Sequence, residues 1–401
     1  MKAYKALFMQ LSYDLLAGAN IRDYYRDVYS CNPGYVMPPH FMEVPTWITY
    51  ASGYLDDMVW DKELLIIENV EDTIRKLNKI DRPTSVFMSV MESNRALYWR
   101  IVDETIDNPN VAFIAGGYTD LTPFDERGVV CLDEITDIAN RFVHANADRP
   151  PDYSLFAGQK YIPRLSLSDG CLYNCAFCSI PRTVTEYTQQ QIQDQLDGFA
   201  ELEFDLIYVN DKTYGQARNW THLRPIGRGL SKERPNFKGF IVQTTVNMAL
   251  KHAVEWYENY YVRYVEVGVE IPNAEFLHKF RKPYSLDQLA SMSQMFRANP
   301  QIGFIPNIIF GSPDDDYQDT LHWLVSHKDI VRFINPYILS TYEDQKGDIA
   351  GVEYNEINSQ ENTTERTWLD DEGKQRMEAA LDWTLWWTNP VRNGDNYAPT
   401  I

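Results

Sequence analysis

Apolar positions along the chain fall into two alternating kinds of run. The short, nearly continuous ones, Lys5 to Leu11, Pro83 to Met91 (PTSVFMSVM) and Val111 to Ala115, read as strands buried on both faces. Val70 to Ile80 and Arg95 to Ile106 instead carry helical spacing, the latter with Leu97, Tyr98, Ile101, Val102 and Ile106 on one side. Asn108-Pro109-Asn110 breaks that helix, and the strand after it ends in Gly116-Gly117. Strand, helix, strand and glycines predict a βαβ unit of a doubly wound, Rossmann-like α/β domain over residues 1–150.

A polar, proline-bearing linker follows at 144–160 (HANADRPPD at its start). From Tyr161 the pattern repeats strand and helix. Strands are predicted at 161–168, 205–210, 238–246, 262–270, 301–310 and 331–337. Helices are predicted at 187–202, 215–229, 249–259, 273–280 with 285–297, and 316–327. Six βα units predict a partial (β/α)6 barrel of parallel strands over residues 151–345, with its site at the C-terminal ends of the strands. In the C-terminal extension, residues 346–401, Asp348 to Arg366 is polar and loop-like. Asp370 to Trp387 is a helix with Met377, Leu381, Leu385 and Trp386 recurring. That helix is expected to dock on the core, or to cap the barrel mouth against solvent.

Charge narrows the function. A net charge of −20 argues against broad contact with nucleic acid, which needs a positive field. One stretch runs the other way: Asp211 to Phe240 holds Lys212, Arg218, Arg224, Arg228, Lys232, Arg234 and Lys238 against Asp211 and Glu233. It reads as a solvated face, or as a surface for an anion or an electron donor. No apolar run approaches the roughly 18 residues of a membrane span, and Ser12, Tyr13 and Asp14 close the first apolar stretch too early for a signal peptide. A reducing, cytoplasmic setting is the expectation. Cys31 and Cys131, far apart in sequence, read as buried free thiols.

The other three cysteines sit within eight residues, Cys171-Leu172-Tyr173-Asn174-Cys175-Ala176-Phe177-Cys178, after the first barrel strand and an Asp169-Gly170 turn. Soft thiolates at this spacing can share one metal centre and leave a coordination position open. A structural zinc would want a fourth ligand, and the nearest histidines are His144 and His222. The CxxxCxxC spacing, with an aromatic before the last cysteine, resembles the cluster motif of the radical S-adenosylmethionine (SAM) superfamily. The resemblance implies that Cys171, Cys175 and Cys178 hold a 4Fe–4S cluster, with Phe177 beside the cofactor. The open iron would bind SAM, and an electron from the cluster would split it to a 5′-deoxyadenosyl radical. The competing reading is a non-catalytic metal-binding or regulatory protein that uses the cysteines structurally.

Further residues follow from the same resemblance. Asn210 and Asp211 end the second barrel strand, where a SAM ammonium acceptor is found; a helix N-cap explains them equally well. Gln243 and Thr245 lie in a polar row on the third strand, facing SAM or substrate. Glu270 ends the fourth strand in Gly-x-Glu and is placed on the SAM ribose, against the alternative of a surface glutamate. Gly311 opens Gly-x-Pro after the fifth strand, with apolar residues before it packing on adenine. Residues 1–150 resemble the cobalamin-binding domain of one branch of the superfamily, with Ser89 and Gly116-Gly117 at the matching positions. The Asp-x-His-x-x-Gly motif that supplies a cobalt ligand in some cobalamin proteins is absent, so a domain that keeps the fold without the cofactor stays open. If cobalamin binds, the resemblance implies a C-methyltransferase. A tRNA methylthiotransferase would need three further cysteines in the N-terminal domain and fails on that count. The implied partners are a reductant such as flavodoxin or ferredoxin and a small-molecule or peptide substrate that the sequence does not name.

Overall fold

A computed structural model describes residues 2–16, 19–37, 40, 43–91, 93–178, 180–339, 356–358, 363–365 and 368–391. Two parallel sheets follow one another along the chain. The first holds β1 (Tyr4–Leu11), β2 (Trp60–Ile67), β3 (Thr84–Met91), β4 (Val111–Tyr118) and β5 (Val130–Cys131) in the order β2-β1-β3-β4-β5. That is a doubly wound order, with its topological switch point between β1 and β3. The helices Val70–Asn78 and Arg95–Thr105 cover one face, where Ile74, Leu77, Ile101 and Val102 meet Leu7, Met9, Val86 and Phe113. Asn69 starts the first of them by accepting the Asp72 N–H. The sequence pattern predicts no strand at β2. Its WDKELLII run is polar at the start because it is an edge strand, and Glu63 pairs with Lys5 rather than facing a core. β4 also runs through both glycines to Tyr118, past the predicted end at Ala115.

The second sheet holds β6 (Arg164–Leu165), then β9 (Leu206–Val209), β10 (Gly239–Thr244), β11 (Val262–Glu270), β12 (Gly303–Phe310) and β13 (Asn335–Ile338), in strict sequence order and all parallel. β6 and β13 stand at opposite edges, so the curled sheet is a half-barrel. The six predicted strands all form. The first is cut short, because Ser168–Asp169 (β7) leaves the sheet and pairs antiparallel with Thr185–Glu186 (β8). β12 is buried along its whole length, Asn307 included. The remaining face of the first sheet, through Ala6, Phe8, Phe87 and Ile114, belongs to the same apolar core as the half-barrel.

The C-terminal helix forms at Asp371–Thr388, capped by Asp370 onto the Gly373 N–H. It docks on the helix Ala19–Cys31: Asn20 donates to Asp382 at 2.6 Å, and Asn389 donates to Asp27 at 2.7 Å. The side chain over the barrel mouth is instead Trp368, whose indole N–H donates to the Gly311 carbonyl at 2.9 Å. Most of the polar stretch Asp348 to Arg366 lies outside the described residues. Within it β14 (Glu356–Asn358) and β15 (Thr363–Glu365) pair antiparallel, where a loop was expected.

Cys31 is exposed and Cys131 half-buried, against the expectation of burial, because Cys31 ends a surface helix. Part of the basic stretch is structural: Arg234 lies over the Phe204 ring and donates to the Leu202 and Phe199 carbonyls. No helix among the described residues is long and apolar enough to cross a membrane.

Candidate functional site

The cysteine loop leaves the C-terminal end of β6 and is clamped at its base by β7 and β8. Gly170 turns the chain at φ +79°, and a Cβ there would stand 1.9 Å from the Thr183 carbonyl oxygen, so only glycine fits. Gln216 holds the loop twice, donating to the Gly170 carbonyl at 2.9 Å and accepting the Leu172 N–H at 3.0 Å. The far side docks on the turn after the helix Ala274–Lys279. Ala176 N–H donates to the Phe280 carbonyl at 3.0 Å, and Phe177 meets the Phe280 ring edge-on at 5.4 Å. Burial raises the Cys175 and Cys178 thiols, and the Lys282 ammonium opposes the rise. Cys171 Sγ lies 3.3 Å from the Thr213 hydroxyl.

Under this loop β11 ends in a bulge between Gly268 and Glu270. Glu270 adopts φ +62° and folds its carboxylate back over Gly268, where a Cβ would meet Oε1 at 2.5 Å. Lys282 Nζ binds that carboxylate at 2.9 Å, with both side chains under a tenth exposed. The ammonium also stands 5.4 Å from the Phe177 ring centre and 5.8 Å from that of Tyr284. Thus β11, the cysteine loop and the turn before Ser285 converge on one cation.

Asn210 and Asp211 stand at the end of β9 and tie down the approach to the loop. Asp211 accepts the Leu167 and Ser168 N–H groups, both at 2.9 Å, and the Ser168 hydroxyl at 2.8 Å. Burial pushes its carboxyl up, against those bonds. Asn210 accepts from Arg164 at 2.6 Å and donates to the Ser166 hydroxyl at 3.2 Å. Neither caps a helix, since the next helical turn starts at Arg218. Asp211 therefore has both oxygens engaged, Oδ1 twice and Oδ2 once.

At the end of β10 the picture is the reverse. The Thr245 hydroxyl and the Asn247 Oδ1 are buried with no hydrogen-bond partner among the described residues. Asn247 uses its amide on the Pro283 carbonyl, next to Lys282. Gln243 faces inward and accepts from the Tyr208 hydroxyl at 3.1 Å. Gly311, at φ +85°, ends β12 beneath Trp368, and Ile309 joins Ala176, Ile271 and Phe280 in an apolar patch with Phe177. Among the described residues no three His, Cys, Asp or Glu side chains stand close enough to grip a single ion.

Residues 165–324 match the Radical SAM superfamily. This segment is a radical SAM domain. No protein of curated function matches the chain. Among solved structures it resembles the radical S-adenosylmethionine methyltransferase TsrM from Kitasatospora setae, with cobalamin and a [4Fe-4S] cluster bound. Identity is 12%, the likeness covers 84% of this chain and 72% of that one, and the TM-score is 0.56. It also resembles OxsB, a cobalamin-dependent S-adenosylmethionine radical enzyme with aqua-cobalamin and S-adenosylmethionine bound. There identity is 16%, coverage is 82% of this chain and 52% of that one, and the TM-score is 0.52. This chain therefore spans about half the length of OxsB. At such identities the likeness is one of fold: a Rossmann-like sheet, a curled half-barrel and a helical C-terminus.

Outside the mouth of the radical SAM domain, a cavity of about 660 Å³ opens at the C-terminal edge of β3 and β4. It brings together Ser89, Gly116 and Gly117 under Trp47 and Tyr50 of the helix Thr46–Tyr54. Gly117 sits at φ +137° with its missing Cβ 1.8 Å from the Val90 carbonyl oxygen. Sequence reasoning missed Lys282, Gln216 and Glu266. Lys282 and Gln216 lie in polar loops where nothing in the pattern sets them apart. Glu266 did carry a signal, being an acid in the middle of the apolar run Val262 to Val269.

Proposed function

We propose that the protein is a radical SAM enzyme in which Cys171, Cys175 and Cys178 hold a 4Fe–4S cluster and SAM lies between that cluster and the ends of β10, β11 and β12. The supporting observation is the cysteine loop at the C-terminal mouth of a parallel half-barrel, with Lys282–Glu270 packed against Phe177 beneath it. Once bound, the cluster supplies the electron that splits SAM, and SAM supplies the radical that takes hydrogen from carbon. The chain's own part is to bind and shield. Thr245 and Asn247 offer the unpaired polar atoms, and Lys282, paired with Glu270, holds a cation beside the cysteine loop. Ile309 and Gly311 give an apolar wall for a flat base, and Trp368 closes the mouth. We take residues 1–150, 151–345 and 346–401 as the cobalamin-side, radical and C-terminal pieces of this enzyme. An external reductant completes the reaction.

The finer reading is cobalamin-dependent methyl transfer. It is favoured by the cavity at Ser89, Gly116 and Gly117, where glycine backbone lets a large ligand approach β4, and by the cobalamin carried by TsrM and OxsB. The test is an anaerobic preparation, reconstituted with iron and sulfide, reduced, and incubated with SAM with and without hydroxocobalamin. Deoxyadenosine that disappears in Cys175→Ala supports the radical reading, and S-adenosylhomocysteine that depends on cobalamin supports methyl transfer. Stoichiometric zinc with no iron cluster would sink both.

A further inference from the structure

The end of the half-barrel opposite the cysteine loop carries a cavity that the chemistry at the mouth does not use. It holds about 490 Å³ at the N-terminal ends of β10, β11 and β12 and is lined by Lys238, Arg263 and Arg332 with Asn32, Gln301 and Cys31. Lys238 stands just before β10, Arg263 is the second residue of β11, and Arg332 comes three residues before β13. Cys31 ends the helix Ala19–Cys31, so the cavity lies on the seam between the N-terminal domain and the floor of the half-barrel. Arg263 also lines a second cavity, of about 270 Å³, with Arg224 and Arg228. Part of the basic stretch between Asp211 and Phe240 therefore gathers on this floor.

Packing holds these cations in place. A Cβ on Gly239, at φ +140°, would stand 2.7 Å from Arg263 Cγ, and one on Gly34, at φ +89°, would stand 3.1 Å from Lys238 Cδ. The Arg263 guanidinium lies over the Tyr257 ring at 4.8 Å and donates through Nη1 to the Tyr257 and Val262 carbonyls at 3.3 and 3.2 Å. Arg332 donates through Nη2 to the Pro300 carbonyl at 2.6 Å. These bonds fix two forks and leave guanidinium donors to spare. Among the described residues neither arginine pairs with a carboxylate. Lys238 reaches Asp205 only at 3.8 Å, and Asp205 has a closer partner in Lys160 at 2.9 Å. Two carbonyls beside the cavity are already covered, that of Val28 by the Asn32 amide at 2.7 Å and that of Pro33 by the Tyr264 hydroxyl at 3.2 Å. In a chain of net charge −20, three cations thus share one cavity without a matching anion among the described residues. They repel one another, and an anion between them relieves the repulsion.

We propose that this cavity binds a small hydroxylated phosphate ester, with the phosphate on Arg263, Arg332 and Lys238 and the hydroxyls on the amide oxygens of Asn32 and Gln301. A guanidinium fork matches two phosphate oxygens at once, and a lysine adds a point charge. The volume is that of a small-ligand pocket, which spans about 300–1,000 Å³. Tyr264 is the aromatic residue in the lining, but it is buried and meets Tyr35 edge-on at 4.8 Å, so it offers no open ring on which a base could stack. The site stands at the far ends of the strands from the cysteine loop, and its occupancy does not require a cluster or SAM.

The test is a calorimetric titration of the full chain at low salt with glucose 6-phosphate, inorganic phosphate and glucose. The ester is expected to bind most tightly, inorganic phosphate more weakly, and glucose not at all. Arg263 also holds two backbone carbonyls, so the variants are made at the two more exposed cations. Lys238→Gln and Arg332→Gln should each weaken the ester about tenfold, with urea midpoints close to that of wild type. Cys31 places the binder: it is exposed in the cavity lining, and glucose 6-phosphate should slow its alkylation by iodoacetamide, read on its own peptide by mass spectrometry. No binding of the ester, binding unchanged in both variants, or Cys31 alkylated at the same rate under saturating ester overturns the proposal. Inorganic phosphate bound as tightly as the ester would overturn the assignment to an organic phosphate.

Discussion

Lys282 and Glu270 form an ion pair of 2.9 Å that is almost wholly out of solvent. The pair joins the bulged end of β11 to the turn on which the cysteine loop rests. Removing one partner leaves a buried charge uncompensated, a loss of about 3–5 kcal/mol, whereas removing both together costs less. Lys282→Met should therefore destabilise the cluster-free chain more than the Lys282→Met, Glu270→Gln double variant does. Urea unfolding of the four forms measures this. Equal losses for the single and double variants would show that the pair contributes no coupling.

Asp211 gives a second prediction, about the shape of the loop rather than its chemistry. Its two oxygens take three donors from Leu167 and Ser168, immediately ahead of Asp169-Gly170. In Asp211→Asn one of those oxygens becomes an amide NH2 and leaves a donor unpaired, a cost of about 1–3 kcal/mol. The expected result is a folded protein with less iron per chain after reconstitution, recovered when Ser168→Ala removes the donor that faces the new amide. Unchanged iron loading would mean that Asp211 does not set the loop.

The two glycines at the end of β4 should separate from each other. A Cβ at Gly116 finds nothing closer than 3.7 Å, while one at Gly117 would strike the Val90 carbonyl at 1.8 Å. Gly117→Ala should unfold the chain at lower denaturant than wild type. Gly116→Ala should keep its stability and, because Gly116 lines the 660 Å³ cavity, weaken hydroxocobalamin binding. Absorbance titration and urea unfolding read the two effects. Unaltered cobalamin affinity in Gly116→Ala would remove the cavity from consideration.

The sequence reveals the half-barrel well because β11 and β12 are buried on both faces and read as mainly apolar runs, interrupted only by Arg263, Glu266, Glu270 and Asn307. It fails at β2, where an edge strand carries charge on its open side, and at β7, where Ser168–Asp169 leaves the sheet for a partner the local pattern does not announce. The cysteine spacing points to the site, but which of the nearby polar residues face it depends on long-range bonds. Asp211 and Glu270 look alike as acids at strand ends, yet one holds the backbone N–H groups of Leu167 and Ser168 and the other a lysine twelve residues on. Lys282 reaches the site through a turn whose path only the folded chain shows.

Glu266 gives the last prediction, a dependence of stability on pH. Its folded pKa, about 7, lies above the ordinary carboxyl value near 4.5 because burial penalises the charged form. The native state therefore holds this proton more firmly than the unfolded chain does. The contribution is complete below about pH 4.5 and is lost as pH rises through 7, a change of about 3 kcal/mol at most. The groups facing Glu266 from other elements include Tyr208, Asn335, Arg164, Glu43 and the tyrosines Tyr29, Tyr35 and Tyr337, and of the charged pair Glu43 sharpens the loss while Arg164 softens it. Glu266→Gln keeps the shape of the neutral acid without the ionisation, so it should be more stable than wild type at pH 8 and nearly equal to it at pH 5. Urea midpoints of both chains at the two pH values decide it. A Glu266→Gln variant less stable than wild type at pH 8 would show that the carboxylate is satisfied by the protein alone.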